Sequence, residues 1–551
     1  MLLAALVALD TGMQPSRLRA GFESLEWMRF TLGKTVRMSR ILASAVTALA
    51  ALMAGCASLP PPEGRTATTA LADTAGTRLG RAVTAEVAAN PGKTGVHPLP
   101  EGPAAFAARA LLAAAAEKSI DTQYYIWHGD QTGYLLFEAL WQAAERGVRV
   151  RLLLDDLNTG GLDPTIAALD AHPNIEVRLY NPLLQRGARM LNFLTDFARV
   201  NRRMHNKSFT ADNQVSVVGG RNIANEYFGA GGGVVFADLD VIAVGAAVRE
   251  VSKEFDLYWN SPSAYPAASF VGTPGPDGAA DLKSRFAATR ADPESVAFLE
   301  AARTTSLVRD LLGGRLALEW TLGRLVYDDP AKTLDTTART DILLFPELVR
   351  TIGRPEKRFD LVSPYFVPGD EGTAALAMLA GEGVKIRVLT NSLASSESKV
   401  VHSGYAKRRE DLLRAGVRLY EIKPTAGREA REEKAKLGSS SSSALHAKTF
   451  AVDRSRVFVG SFNFDQRSAR LNTEMGLVID SPTLAQQLAE RFDTAAPLVA
   501  YEVRLGPNGR RLEWIERTAA GETRYDTEPG TNWFQRWSVD VLSIFPVDWM
   551  L

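Results

Sequence analysis

The order of apolar and polar positions predicts alternating strands and helices from residue 104 onward. An Ala-rich run over 104–116 predicts a helix, and 119–127 predicts a strand. Apolar residues recur at helical spacing over 133–145, Gly147 ends that pattern, and 148–154 has the composition of a buried strand. A strand–helix–strand series of this kind indicates an α/β fold.

The same series returns about 240 residues later in the chain. A strand is predicted over 360–367, a helix over 372–380 and a strand over 384–390. Short sequence words repeat in the same order, with YIWHGD and RGVRVR in the first series and YFVPGD and EGVKIR in the second. An internal duplication of a whole domain explains several shared words better than chance does.

Composition adds bounds to this picture. The chain has 551 residues, 63 Lys+Arg against 63 Asp+Glu and 46% hydrophobic residues, which indicates a folded protein with two or more domains. A net charge of zero argues against a dominant basic surface for nucleic acid. The predicted organisation is a signal region with an over-long start (1–55), a lipid-anchored tether (56–103), a first lobe (104–290), a connecting segment (291–345), a second lobe (346–505) and a Trp-rich C-terminal segment (506–551).

The single cysteine, Cys56, argues against a disulfide framework or a multi-cysteine zinc site. It ends an apolar stretch over 41–55 that follows basic residues between 34 and 40. That stretch is shorter than the roughly 20 residues of a transmembrane helix and fits the apolar core of a secretory signal. The word LMAGC at 52–56 resembles a bacterial lipobox, which implies cleavage before Cys56 and lipidation of its sulfur. The alternative is a free buried thiol at the end of a core helix.

Two motifs with one template carry the candidate chemistry. The template is His-x-Lys-(x)4-Asp followed ten residues later by Asn, and its residues are His205, Lys207, Asp212 and Asn222 in the first copy and His446, Lys448, Asp453 and Asn463 in the second. Only 6 His occur in the chain, and two of them occupy this template at the offset of the wider repeat. A pseudo-twofold relation between the halves would bring both sets to one cleft.

These residue types suit the cleavage of a phosphodiester. Lys and Asn donate hydrogen bonds to negatively charged phosphate oxygens. One neutral His can attack phosphorus, and the other, protonated, can donate to the leaving oxygen. The two rings must then hold different protonation states and titrate as a coupled pair. Because Lys supplies the positive charge, we expect neither a metal ion nor a cofactor.

The duplicated motif resembles that of the phospholipase D superfamily, over the chain from about residue 100 onward. The resemblance implies two α/β/α lobes related by a pseudo-twofold axis, with the active site at their interface. It also implies a phosphohistidine intermediate that water or an alcohol resolves. One of His205 and His446 is then the nucleophile and the other the acid/base, and we favour His205 as nucleophile. Asp212 and Asp453 are expected to hold local turns rather than to react. Phosphate would be bound by Lys207, Lys448, Asn222 and Asn463.

The resemblance also implies an acid on a later strand that orients each His through a hydrogen bond. In the second half Glu474 fits this position and is predicted to partner His446. In the first half the counterpart is Asp238 or Asp240, and the sequence leaves that choice open.

Within the superfamily, the words NRRMHNKS at 201–208 and GRNIANEYF at 220–228 resemble the cardiolipin synthase C-like group. This resemblance implies phosphatidyl transfer between phospholipids, with phosphatidylglycerol and phosphatidylethanolamine as expected substrates. Hydrolysis to phosphatidic acid, a nucleic-acid phosphodiesterase and a non-catalytic lipid-binding lipoprotein are the alternatives. We expect no nucleic-acid partner, and the need for a protein partner stays open. Ala57 after the predicted lipidated Cys56 favours the outer membrane, facing the periplasm.

The C-terminal segment is rich in tryptophan, at Trp514, Trp533, Trp537 and Trp549. Trp favours the membrane interface. The alternative is that these residues cover the core of the second lobe.

Overall fold

The computed structural model describes residues 59–61, 64–231, 235–313, 315–335, 337, 339–396, 398–424, 443–509 and 511–545. The chain forms two compact units. The larger unit, residues 61–189 and 197–551, contains two large β-sheets and a short two-stranded one. The described part of the other unit includes the helix α5 (Leu191–Thr195). Within the described ranges, no helix combines the length and the apolar character needed to cross a membrane. Cys56 lies outside the described residues.

The first lobe is built on a nine-stranded sheet with the order β10-β1-β8-β6-β5-β2-β3-β4-β9. Its strands are β1 (Thr94–Leu99), β2 (Ser119–Ile126), β3 (Arg149–Asn158), β4 (Ile175–Tyr180), β5 (Ser208–Ala211), β6 (Val215–Gly219), β8 (Asp240–Gly245), β9 (Ala264–Pro266) and β10 (Glu319–Thr321), and β7 (Val235–Ala237) lies outside this sheet. Its helices are α1 (Arg78–Ala89), α2 (Gly102–Ala115), α3 (Gln131–Glu145), α4 (Asp163–Asp170), α6 (Phe197–Val200), α7 (Asn225–Phe228), α8 (Ala246–Trp259), α9 (Ala268–Val271), α10 (Gly278–Ala291), α11 (Pro293–Arg303) and α12 (Ser306–Leu312).

The second lobe repeats this plan on a ten-stranded sheet with the order β11-β18-β17-β16-β12-β13-β14-β19-β20-β21. Its strands are β11 (Gly323–Tyr327), β12 (Arg358–Val362), β13 (Lys385–Asn391), β14 (Arg418–Ile422), β16 (Lys448–Val452), β17 (Arg456–Gly460), β18 (Met475–Ile479), β19 (Ala500–Leu505), β20 (Leu512–Thr518) and β21 (Gly521–Tyr525), and β15 (Ser443–Leu445) lies outside it. Its helices are α13 (Leu344–Ile352), α14 (Gly369–Gly381), α15 (Lys399–Ala406), α16 (Arg409–Arg414), α17 (Gln466–Arg470), α18 (Pro482–Thr494), α19 (Ala496–Val499) and α20 (Trp533–Ile544), and a 3-10 turn spans Pro330–Thr333.

Equivalent strands in the two sheets make equivalent pairs. Strands β2, β3 and β4 are parallel neighbours in the first lobe, as β12, β13 and β14 are in the second. The hairpin β5–β6 packs antiparallel on β2, and the hairpin β16–β17 does the same on β12. The predicted α/β duplication is confirmed, with each motif at the start of a central hairpin.

The two lobes share apolar contacts and one short sheet. A buried cluster joins Val218 and Val241 of the first lobe to Val459 and Leu477 of the second. The strand β7 of the first lobe pairs in parallel with β15 of the second. Burial of apolar side chains from both lobes fixes the sheets against each other at the edge where the motifs lie.

The lobes begin and end at different residues from those predicted. The segment 56–103 was expected to be a tether, but α1 forms within it and β1 pairs with both β8 and β10. The connecting segment 291–345 supplies β10 and β11, one edge strand for each sheet. The sequence pattern missed β1, β10 and β11 because each strand is short. Such strands contain too few alternating buried residues to be recognised among their neighbours in the sequence.

The two motif aspartates lie at the hairpin turns. Asp212 and Asp453 have positive φ angles of 51° and 52°, and the residue after each is also left-handed, within the three-residue turns that join β5 to β6 and β16 to β17. The Asp212 carboxylate accepts hydrogen bonds from the backbone N–H groups of Glu117, Lys118 and Ser119. The Asp453 carboxylate accepts three equivalent bonds, which join the hairpin to the start of β12.

Removing these carboxylates should destabilise the two lobes unequally. Asp212 is fully buried, so Asp212→Ala leaves three amide groups poorly solvated, and we expect a loss of about 3 kcal/mol in the free energy of unfolding. The Asp453 carboxylate is only half-buried and two of the hydrogen bonds it accepts are exposed, so water can replace it, and Asp453→Ala should cost about 1 kcal/mol. Urea denaturation followed by circular dichroism measures both. Equal losses would contradict the role assigned to burial.

Candidate active site

His205 is held by a backbone bridge between the lobes. The His205 N–H donates to the carbonyl of Thr473 at 2.8 Å, and the Thr473 N–H donates to the carbonyl of Arg203 at 2.9 Å. This pairing aligns residue 474 with the imidazole, and His205 Nδ1 lies 2.8 Å from Glu474 Oε2. Both side chains are buried, so the pair forms in a largely dry environment.

His446 is held by an equivalent backbone pairing, in which the two lobes exchange roles. The parallel pair β7–β15 ends at Ala237 and Leu445, and the N–H groups of His446 and Ala447 both donate to the Ala237 carbonyl. The next residue after Ala237 is Asp238, and its Oδ2 lies 2.6 Å from His446 Nδ1. Each His is therefore paired with an acid from the opposite lobe.

The expected partnership between Glu474 and His446 is wrong, because the pairs cross between lobes. Glu474 belongs to the second lobe and contacts His205 of the first, whereas Asp238 of the first lobe contacts His446 of the second. Of the two first-lobe candidates, Asp240 contacts neither ring: its carboxylate accepts a 2.9 Å bond from Arg109 and one from the backbone N–H of Arg221. A sequence pattern identifies an acid on a strand, but not which lobe that strand faces.

Burial and neighbouring cations keep both imidazoles neutral. Desolvation, followed by the charge of Lys207, holds the pKa of His205 well below its usual value. Desolvation, followed by the charge of Lys448, lowers the pKa of His446 to about 3. Lys448 contributes to lowering both values, as does Lys207, so the two motifs act on one shared site. A carboxylate at Nδ1 fixes the proton there and leaves Nε2 with its lone pair.

The two acids differ in their protonation. Desolvation opposes ionisation of Asp238, but His446 and its neighbouring cations prevail and lower the pKa of Asp238 to about 2. Desolvation raises the pKa of Glu474 to about 7. The negative charge of Asp238 favours the imidazolium form of His446, while Glu474 gives His205 weaker support for that form. The site is therefore asymmetric in charge although its backbone is symmetric.

The residue facing each acid explains part of this asymmetry. Gly220 of the first lobe occupies the position of Ser461 in the second. A Cβ atom on Gly220 would lie 2.2 Å from Asp238 Oδ1, so only glycine leaves room for that carboxylate. The Ser461 hydroxyl instead donates to Glu474 Oε2, and the Ser468 hydroxyl donates to Glu474 Oε1 at 2.7 Å. These seryl contacts hold Glu474 without adding a compensating charge.

The motif lysines and asparagines occupy different environments. Lys207 is buried, its ammonium donates to the His205 carbonyl, and desolvation lowers its pKa well below the usual value. Lys448 Nζ lies 2.9 and 3.1 Å from the two ring nitrogens of His446. Among the residues that the structure describes, the buried Oδ1 of Asn463 has no hydrogen-bond partner. The Asn222 side chain accepts from Ile126 N–H and donates to the Tyr227 hydroxyl. Phosphate binding by these side chains stays a prediction.

Asp212 and Asp453, which were grouped with the catalytic residues through the motif, lie at the turn ends of β5 and β16. Their carboxylates are bonded to backbone N–H groups there, away from the histidines at the other ends of the hairpins. The reading of these residues as turn-forming agrees with that geometry.

Sequence reasoning missed the aromatic walls of the site. The Tyr125 and His205 rings meet edge to face at 4.9 Å between centroids, and Tyr227 meets His446 in the same way at 4.9 Å. Phe236 stacks on His446 at 5.3 Å. Tyr125 opens one of the repeated sequence words and Tyr227 lies in the word GRNIANEYF, which were the available signals, whereas nothing in the sequence pattern marks Phe236.

A potential metal-binding cluster includes none of the motif residues. The ligand atoms of His128, Asp130 and Glu226 fall within 4.8 Å of one another. The Asp130 oxygens already accept hydrogen bonds from the N–H groups of Gly133 and Asn225. That carboxylate therefore serves as the N-cap of α3 and offers little to a cation.

Comparisons with known proteins agree with this site. A family model described as "Cardiolipin synthase, PLD-like domain" matches the chain twice, over residues 110–259 and 348–495. Cardiolipin synthase C of Escherichia coli is 46% identical over 474 residues, covering 86% of this chain and 100% of that protein. The major cardiolipin synthase of Bacillus subtilis is 24% identical over 380 residues, covering 68% of this chain and 64% of the relative.

The solved structure of phosphatidylserine synthase from Haemophilus influenzae shares the fold. It superposes with a TM-score of 0.50 at 13% identity, over 86% of this chain and 100% of the other. With a duplicated family match and two crossed His–carboxylate pairs between α/β lobes, the molecule is an enzyme of the phospholipase D type. The chain belongs to the phospholipase D superfamily, in its cardiolipin synthase group.

The unequal acids predict unequal pH effects. Asp238→Asn removes the charge that favours the His446 imidazolium, so the pKa of His446 falls and the alkaline limb of the pH–kcat profile should move to lower pH. Glu474→Gln should lower kcat by roughly 10–100-fold without moving that limb, because it perturbs the orientation of a neutral ring. Turnover of a phosphodiester with an alkyl leaving group, followed from pH 5 to 9, measures both, because that alcohol needs a proton to depart. A shift in Glu474→Gln alone would reverse the roles of the two histidines.

Proposed function

We propose that this protein is a phosphatidyltransferase that moves a phosphatidyl group from one phospholipid to the hydroxyl group of another, forming cardiolipin. The observation that carries this proposal is the crossed pair of His–carboxylate contacts, at 2.8 and 2.6 Å, in one buried site with two lysines. The 46% identity to cardiolipin synthase C of E. coli over its full length supports the transfer reaction. We propose phosphatidylglycerol and phosphatidylethanolamine as the substrates.

In the first step, His205 Nε2 attacks phosphorus and forms a phosphohistidine. Glu474 keeps the proton of His205 at Nδ1, so the lone pair at Nε2 is available. Entry of the anionic diester raises the pKa of His446, beside the ionised Asp238, and the protonated ring donates to the departing alcohol oxygen. Lys207 and Lys448 neutralise the charge on the non-bridging oxygens.

In the second step, His446 acts as a base. It has given its proton to the leaving alcohol, so its Nε2 can accept a proton from the incoming hydroxyl. The alkoxide oxygen then attacks phosphorus, the bond from phosphorus to His205 breaks, and the neutral imidazole is restored. Release of a lipid product or of phosphatidic acid depends on whether a lipid alcohol or water supplies that hydroxyl.

We also propose that the protein is attached to a bacterial membrane. Lipidation at Cys56 would attach the chain to a bacterial membrane, and Ala57 favours the periplasmic face of the outer membrane. A membrane-associated enzyme meets its two lipid substrates in the plane of the bilayer.

The direct test is a lipid mass spectrum. The full chain is incubated with mixed micelles of phosphatidylglycerol and phosphatidylethanolamine, and we expect cardiolipin to form. His205→Ala and His446→Ala should each lower product formation by at least 10³-fold, because each removes a reacting group. The matched control is His172→Ala, which changes a histidine that contacts Trp141 rather than the site. Phosphatidic acid without cardiolipin would make the enzyme a hydrolase, and lack of both products would contradict the proposal.

A second test identifies the nucleophile. A p-nitrophenyl phosphodiester has a leaving group that departs without a proton donor, so His446→Ala can complete the first step but lacks the base for the second. We expect a covalent adduct on His205, seen as a mass increase equal to the phosphoryl fragment and located by peptide sequencing. His205→Ala should form none. An adduct on His446 in the His205 variant would assign the nucleophile to the second lobe.

A further inference from the structure

The C-terminal helix α20 turns an apolar stripe outward. Trp533, Trp537, Val541 and Ile544 follow one another at spacings of four, four and three, so they lie on one face of the helix. Trp533 is 70% exposed and Ile544 is 81% exposed. Phe534 and Phe545 border the same face and are also exposed. Val539, on the opposite face, is buried. A stripe of this kind usually faces the core of a protein, so its exposure indicates a partner that is apolar.

The stripe belongs to a helix that is fixed to the second lobe. The Ser543 hydroxyl donates to the Ser403 carbonyl of α15 at 3.2 Å, and Lys407 Nζ donates to the Phe545 carbonyl at 3.0 Å. Just before α20, the Glu528 carboxylate lies 2.9 Å from His402 Nε2 of α15. These contacts hold the helix in place, so the exposed face does not result from a detached terminus.

The helix lies at the same edge of the second sheet as His446. Strand β13 ends at Asn391, whose side chain accepts from the Leu445 N–H at 2.9 Å and donates to the Leu445 carbonyl at 3.0 Å, next to His446. The next element along the chain is α15, against which α20 packs. Gly530, close before α20, lies against Ala394 in the connection from β13 to α15.

A cation accompanies the aromatic residues. The exposed Lys399 at the start of α15 places its ammonium 5.9 Å from the centre of the Phe534 ring. Aromatic side chains beside a lysine match the boundary between acyl chains and phosphate groups, where Trp is enriched and Lys reaches anionic lipid. Trp514, in contrast, is buried and donates to Glu421 Oε2 at 2.9 Å, so it covers the core of the second lobe.

We propose that the stripe on α20, with Lys399, is the surface that the protein lays on a phospholipid bilayer. This inference rests on the proposed function, because it directs the edge that holds His446 toward the lipid from which the substrates come. The surface contacts the interface between headgroups and acyl chains and inserts aromatic rings there, while the lobes stay outside the bilayer.

A single labelled cysteine tests the contact. Cys56 is the only cysteine, so Cys56→Ser in the full chain gives a background in which Ile544→Cys is labelled with a polarity-sensitive dye. The matched control is Met378→Cys, which is also exposed. Met378 lies near the C-terminal end of α14, which leads into the start of β13 at the opposite edge of the sheet. Vesicles of phosphatidylglycerol and phosphatidylethanolamine should shift the emission to the blue at 544 and leave it unchanged at 378. No difference between the two positions would overturn the proposal.

Two other results of the same experiment would also overturn it. A blue-shifted emission at 544 without vesicles that depends on protein concentration would show that a second copy covers the stripe. The same emission independent of concentration would show that another segment of the chain covers it.

Activity on two kinds of substrate separates this inference from the proposed function. Trp533→Ser with Trp537→Ser should lower turnover of vesicle lipids about tenfold and leave turnover of a water-soluble p-nitrophenyl phosphodiester unchanged. The control pair Val349→Ser with Met378→Ser, exposed positions on other helices, should change neither. Equal losses on both substrates would contradict a surface role. If the parent protein turns over neither substrate, the proposed function fails, while the vesicle-dependent signal at 544 still decides the membrane contact.

Discussion

The active site depends on a backbone pairing that crosses between the two lobes. Residues 203–205 bond to Thr473, and the β7–β15 ladder ends beside His446. In each case the residue that follows the paired segment is the acid that contacts the histidine of the other lobe. Glu474 follows Thr473 and contacts His205, and Asp238 follows β7 and contacts His446. A shift of one residue in either register would turn the acid to the other face of the strand and leave a buried imidazole without its partner. The apolar contacts between the sheets hold that register.

Electrostatics then makes two similar half-sites different. Both histidines are buried beside lysines, which favours neutral rings, but an ionised Asp238 faces His446 while a Glu474 with a pKa of about 7 faces His205. A reaction that needs a nucleophile and a proton donor at once requires the two rings to hold different protonation states. The two lobes also differ at one equivalent position, where the first has Gly220 beside Asp238 and the second has Ser461 beside Glu474. This small difference in side-chain volume agrees with the different roles of the two histidines.

The sequence predicted the duplicated α/β plan because the periodicity is strong and the motif spacing is identical in both halves. It also pointed to the two histidines, the two lysines and Glu474, and it left the first-lobe acid open between Asp238 and Asp240. It could not assign each acid to a histidine, since chain order carries no information on which strands face one another across the lobes. It also missed β1 and the edge strands β10 and β11, whose short runs show little alternation. Tyr227 reaches His446 through a four-residue helix, α7, that no periodic pattern can reveal.

The crossed pairing has a consequence for the history of the chain. A single lobe with this architecture holds a histidine without its acid and an acid without its histidine, so it can complete no site alone. An ancestor with one lobe would have needed two identical subunits joined about a twofold axis, giving two equal half-sites. Joining two copies in one polypeptide freed each half to vary. The Asp and Glu that now face the two histidines are the kind of difference that a symmetric pair of subunits cannot acquire.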